Sequence, residues 1–256
     1  MAQPEPTSLK TAQLPAVQHL VVRYAKRGKM RFASHRDVAR VFERGVRRAG
    51  LPIAYSAGFT PHPRISYAGG APTGVASEAE YLTLALTSRL VGPQVRERLN
   101  AALPDGIDVI DVTDADSGAR GTSPGQEYTA SRWRVVLPGV EPAAAQRAVD
   151  GFLALSEAPV ERLTDKGVRR LDARAAVITL DVLNPTDPEG GQRAAVTGVE
   201  DCAILRMVVL HTAPAVRPED ILTALREQEG IVPSSPPMTT RLAQGPLTQL
   251  AGMKVP

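Results

Sequence analysis

Sulfur is nearly missing from this chain: among 256 residues there is one cysteine, Cys202. A lone cysteine excludes an internal disulfide, and with it any zinc site or iron–sulfur cluster built on several cysteines of this chain. Histidine is scarce too. The four present (His19, His35, His62 and His211) share neither a helical i, i+4 spacing nor the short separations of metal ligands, so no metal site is expected. Aromatic residues make up only 4%, which leaves the core to Val, Leu, Ala and Ile. Long apolar runs are absent, and the opening MAQPEPTSLKTAQLP lacks the charged-then-apolar pattern of a signal peptide. A cytoplasmic protein with no membrane contact is expected. There is no Walker A string, which removes P-loop chemistry.

What is present is concentrated between residues 21 and 67. That stretch holds eleven Lys/Arg (Arg23, Lys26, Arg27, Lys29, Arg31, Arg36, Arg40, Arg44, Arg47, Arg48 and Arg64) against Asp37 and Glu43, a net +9. The whole chain carries +3, so everything else sums to −6. So local an asymmetry marks a surface meant for a polyanion. A GC-rich genome is a second source of arginine, chiefly outside this stretch.

The pattern predicts an α+β protein of two tandem ferredoxin-like (βαββαβ) units with antiparallel sheets. Residues 1–16 read as a disordered leader, 17–116 as the first unit, 117–129 as a Gly/Ser/Pro-rich linker, 130–245 as the second unit and 246–256 as a tail. In the first unit, His19–Phe32 reads as a strand pair or bent strand with a turn at Lys26–Lys29. Ser34, with Asp37 three residues on, starts a helix that runs to about Ala49 and stops at Gly50. Strands are expected at Ile53–Ser56, Glu80–Leu86 and Ile107–Val112, with a helix over Gly92–Leu103. In the second unit, strands are expected at Arg132–Leu137, Val160–Leu163, Val168–Leu183, Cys202–His211 and Met238–Leu242. Helices are expected over Pro142–Leu155 and Pro218–Gln228, the latter ending at Gly230.

At about 100° per residue, Val38, Val41, Phe42, Gly45, Val46 and Ala49 fall on one face of the first helix. Arg36, Arg40, Arg44, Arg47 and Arg48 fall on the other, a nucleic-acid-binding stripe or a solvated face. Arg27-Gly28-Lys29-Met30-Arg31 is a basic turn whose glycine lets backbone N–H groups approach a phosphate. His35 sits at the helix start and is a candidate proton-transfer group or hydrogen-bonder. In Gly58-Phe59-Thr60-Pro61-His62-Pro63-Arg64, two prolines fix the backbone around His62. Phe59 either joins the core or stacks on a base. Thr164–Arg174 is a second basic hairpin, with Lys166, Arg169, Arg170 and Arg174 as phosphate contacts or as structural residues of the hairpin.

The strings RGKMRFASHRDV, ERGVRRAGLPIAYSAGFTPHPRISYAGGAPTGVASEAEY and LNAALPDGIDVID together resemble the radical-SAM-linked protein family, a domain of unknown function, over roughly residues 18–180. TDKGVRRLDAR resembles that family's basic hairpin. The resemblance implies a link to radical SAM chemistry, and in high-GC Gram-positive genomes its stand-alone members lie near genes for ribonuclease E/G and ribosomal proteins. The Cys-x-x-x-Cys-x-x-Cys motif is absent here. An iron–sulfur cluster and S-adenosylmethionine would therefore enter only through a partner. The leading expectation is an RNA-binding module holding structured RNA in a basic cleft, as accessory to an RNA-modifying or radical SAM enzyme or a ribonuclease. The alternatives are a metal-independent endoribonuclease with His35 or His62 as general acid/base, and a protein-interaction subunit of a radical SAM enzyme.

Overall fold

The computed structural model describes residues 14–115, 128–164, 167–184 and 202–251. Most of the expected leader and linker, residues 252–256 of the expected tail, Lys166 and the stretch 185–201 lie outside the described residues. The protein is α+β, with a mostly antiparallel sheet and six α-helices among the described residues.

The first half contains strand β1 (Gln18–Lys26), helix α1 (His35–Arg48), β2 (Ile65–Ala68), β3 (Ala76–Leu86), α2 (Gly92–Ala102) and β4 (Ile107–Asp114). The second contains β5 (Ala130–Pro138), α3 (Pro142–Ala154), β6 (Pro159–Thr164), β7 (Gly167–Asp172), the one-turn α4 (Ala173–Ala176), β8 (Val177–Val182), β9 (Cys202–Leu210), α5 (Pro218–Glu229), β10 (Met238–Gly245) and α6 (Leu247–Ala251). Eight strands form one sheet in the order β4-β1-β3-β10-β5-β9-β8, with β2 also on β3. Every neighbouring pair is antiparallel except β3 and β10, which meet in a short parallel ladder at Thr240↔Ala76 and Arg241↔Ser77. The β6–β7 hairpin is a separate two-stranded ribbon.

Two cores follow from strand alternation. Leu20, Val22 and Tyr24 of β1 and Leu82, Leu84 and Leu86 of β3 pack with Phe42 and Val46 of α1 and Val95 and Leu99 of α2. Trp133, Val135 and Leu137 of β5 and Leu205, Met207 and Val209 of β9 pack with Phe152 of α3 and Ile221 of α5. Register joins Lys26 to Ser77, Ser77 to Arg241 and Arg241 to Trp133. Cross-strand partners point to one face, so both helix pairs cover the same side of the sheet. Helix α6 covers part of the reverse side, where Leu250 packs on Ala130 and Val208.

Four local expectations are corrected. The strand expected to resume at Met30 is a 3-10 helix over Gly28–Phe32: Gly28 takes φ +52°, and the Arg27 N–H is bound to the Gly106 carbonyl. Ile53–Ser56 makes only isolated bridges, and the partner of β3 is β2, farther along the chain. Val168–Leu183 is not one strand. The Asp172 carboxylate accepts from the Arg174 and Ala175 N–H groups and starts α4 in its midst. The region expected as tail contains α6.

Candidate nucleic-acid interface

Helix α1 is specified by its own residues. Ser34 Oγ accepts from the Asp37 N–H while the Asp37 carboxylate accepts from the Ser34 N–H, a complete capping box. The Ser34 hydroxyl also donates to the Asp37 carboxylate at 2.6 Å, and this bond, with that from the Ser34 N–H and the nearby Arg40, holds the exposed Asp37 carboxyl below its ordinary pKa. At the other end, Gly50 takes φ +61°, its N–H donates to Arg47 O, and Leu51 N–H reaches Val46 O. These two bonds satisfy the last carbonyls of the helix. Val38, Phe42, Gly45 and Val46 are buried, as the periodicity predicts.

The opposite face is cationic. Arg36, Arg40, Arg44, Arg47 and Arg48 are all exposed. Their partners are few: Arg40 lies 3.7 Å from Asp37, Arg44 Nε donates to Arg40 O, and Arg48 donates to Ala102 O at the end of α2. Three of these cations stand in i, i+4 relation to the next, each such pair costing about 0.2–0.5 kcal/mol. The C-terminal half-charge of the helix offsets part of this at Arg47 and Arg48.

Not every cation of the segment joins the stripe. Arg27 forms ion pairs with Glu78 and Asp108, acids brought by β3 and β4, which raise its pKa. Arg23 Nε donates to Glu78 O. Lys26 is 3% exposed, and its Nζ donates to the carbonyls of Ala71 and Pro72. Lys29 and Arg64 are exposed. Arg31 places its guanidinium 4.6 Å from the centroid of the Phe32 ring, and that ring is itself 58% exposed.

The two candidate histidines have different neighbours. His35 stacks edge-on against Tyr67, centroids 5.4 Å apart, and the Tyr67 hydroxyl donates to Ala39 O. His62 lies in the turn closed by Tyr55 and Pro63; its N–H donates to Ser56 Oγ, and its carbonyl accepts from Ser56 N–H. Both side chains are exposed. Phe59, in the same turn, is fully exposed at 110%, so it is not a core residue.

In the second half, Arg169 and Arg170 are exposed on the ribbon. Arg170 pairs with Glu161, and the ribbon is anchored by Arg162, which bonds the Asp220 carboxylate at 2.7 Å. A cavity of about 140 Å³ lies elsewhere, under α5, lined mostly by apolar residues (Leu137, Leu222, Leu225 and Ile231) together with Thr223 and Arg226. Its apolar walls do not suit a polyanion.

Sequence reasoning passed over two groups. Arg132, Arg134 and Arg206 share the sheet face away from the helices, with Arg134 directly opposite Arg206. The i, i+2 spacing of Arg132 and Arg134 in a strand was the available signal. Lys26, Glu80 and Arg241 form a buried polar cluster for which no local signal exists. Among the described residues no group of three or more His, Cys, Asp or Glu is placed to hold a metal, and no helix is long and apolar enough to cross a membrane.

Residues 19–218 match the family described as "Uncharacterized protein conserved in bacteria (DUF2344)". The chain belongs to that family. No curated protein matches it.

Proposed function

We propose that this protein binds structured RNA through the outward face of α1 and the cations around it, as an accessory to an enzyme that modifies or processes the RNA. The observation that carries the reading is the arginine stripe: five exposed arginines on one helix face, with a single ion pair, of 3.7 Å, to be found for them among the described residues. Of the five, Arg48 bonds the end of α2 through Ala102 O, while Arg36, Arg40, Arg44 and Arg47 make no hydrogen bond or ion pair to another element among the described residues. An anion running along the helix would remove the self-repulsion, and phosphates are the commonest such anion. We take the halves to be two ferredoxin-like units in tandem. The strand orders β4-β1-β3-β2 and β10-β5-β9-β8 favour this. A radical SAM enzyme is the partner suggested by the resemblance of the motif strings, and the iron–sulfur cluster and S-adenosylmethionine would then reside in that partner.

The test is the salt dependence of binding to a stem–loop RNA. For wild type, log K should fall linearly with log[salt]. Replacing Arg40, Arg44 and Arg47 together by Ala should flatten the slope by about two units, at roughly 0.7 per contact to unpaired strand. An unchanged slope would assign the stripe to solvent. Cleavage of the RNA in the presence of a chelator, lost on His35→Ala or His62→Ala, would replace the binding module with an endoribonuclease.

A further inference from the structure

We infer that the surface around α1 takes unpaired nucleotides, whose bases stack on Phe32 and Phe59, rather than duplex RNA; this rests on the RNA reading above. The chain has four phenylalanines. Phe42 and Phe152 are at 0% exposure in the two cores, whereas Phe32 and Phe59 are at 58% and 110%. Burying a phenylalanine is worth about 1.5–3 kcal/mol, and in a chain so poor in aromatics these two rings forgo it.

Their placement relates them to the stripe. Phe32 stands two residues before the Ser34 cap of α1. Phe59 belongs to the turn that follows the other end. Helix α1 hands over through Leu51 to Ile53, which bridges Leu86, and the turn returns to Arg64, whose carbonyl accepts from Ala85 N–H. The helix begins near Tyr67, which pairs with Leu82, and finishes at the Leu86 end of β3. One exposed ring therefore precedes and one follows a cationic helix of 14 residues, about 21 Å long.

Each ring is built for display. Arg31 covers one side of Phe32 and would stay in the stack as a cation beside a phosphate. Phe59 sits between Gly58 (φ +126°) and Thr60-Pro61, in a turn closed by the Ser56–His62 bonds. Bases of any sequence offer a π-face to such platforms only when they are out of a duplex, and arginines alone do not distinguish strand from duplex.

The experiment compares a mixed-sequence single strand of about twelve nucleotides with an RNA duplex of equal length, by fluorescence anisotropy, for wild type, Phe32→Ala, Phe59→Ala and Phe59→Tyr. Wild type should prefer the single strand. Each alanine variant should lose roughly 5- to 150-fold for it, with the salt slope and the duplex affinity unchanged, and Phe59→Tyr should retain binding. Because both side chains are exposed, thermal melts of the variants should match wild type. Equal affinity for strand and duplex, or alanine variants that bind as wild type does, would overturn base stacking. If the arginine variant still flattens the slope in that case, the RNA reading stands. If neither RNA binds wild type, both readings fall.

Discussion

His211 ties two segments together with both nitrogens of its ring. Nδ1 lies 2.6 Å from the Tyr128 carbonyl and Nε2 lies 2.7 Å from Ser131 Oγ. A carbonyl can only accept, so Nδ1 carries the proton, and the neutral ring accepts from the serine hydroxyl through Nε2. His211 keeps an exposed edge, but partial burial of its ring pushes its pKa below the ordinary value; the Tyr128 bond opposes this and the positive charge of Arg241 adds to it. The unfolded chain then binds this proton at a pH where the folded chain does not. Stability is retained above the unfolded pKa near 6.5 and is lost as pH falls below it. The urea midpoint of wild type should therefore decline between about pH 7.5 and about pH 5.5. His211→Gln, which can keep a donor and an acceptor, should flatten that decline. Identical profiles for the two proteins would show that His211 does not set the acid limb. No motif marked this residue, because its partners lie 80 and 83 positions away in the chain.

Helix α1 is the element where local sequence and final structure agree most closely. Its start needs only Ser34 and Asp37, its stop only Gly50, and its buried face follows from the 3.6-residue period. Each of these signals lies within a few residues of the structure it specifies. The 3-10 turn at Gly28–Phe32 depends instead on the Gly106 carbonyl and on acids from β3 and β4. Strand β2 is four residues long and exists through its pairing with β3, and α4 exists through the side chain of Asp172. The exposed stripe of the candidate site was legible for the same reason as the buried face. That Arg27 is ion-paired and Lys26 buried was not, since their partners come from β3, β4 and the turn after β2. The two ends of this logic differ in size. Ser34→Ala removes one cap acceptor and should cost about 1 kcal/mol, whereas Phe42→Ala empties the first core and should cost about 3–5 kcal/mol. Urea denaturation followed by far-UV circular dichroism measures both, and equal losses would mean that the cap, rather than the packing, holds α1 in place.

At the scale of the whole molecule, the two cores meet along a narrow seam. Strands β3 and β10 share only the short parallel ladder, to which the Tyr81–Tyr128 contact, with centroids 5.0 Å apart, adds little. The rest of the seam combines an apolar contact, Val75 and Ala71 of the first half packing on the second core, with a buried polar cluster. Arg241, with 5% of its side chain exposed, pairs with Glu80 at 4%, donates to the Gly69 carbonyl at 2.7 Å, and lies 5.5 Å from the centre of the Trp133 ring. Gln244 donates to Ala79 O, and Glu80 also accepts from the Ala71 N–H. Lys26 shares this environment, and its pKa is lowered chiefly by burial, with Glu80 opposing the shift and Arg241 adding to it. Glu80 is thus the carboxylate that faces two buried cations. Removing it leaves Arg241 buried and unpaired, a loss of about 3–5 kcal/mol. The loss should fall on the seam before it falls on either core. Trp133, the one tryptophan, belongs to the second core and touches Arg241, so its fluorescence reports that side of the junction. Far-UV circular dichroism reports both halves. In wild type the two signals should trace one unfolding curve. In Glu80→Ala the Trp133 transition should separate from the circular-dichroism transition, because each half retains its own core while the link between them is weakened. Curves that remain superimposed and merely shift together would show that the halves unfold as a single unit for reasons other than the ion pair.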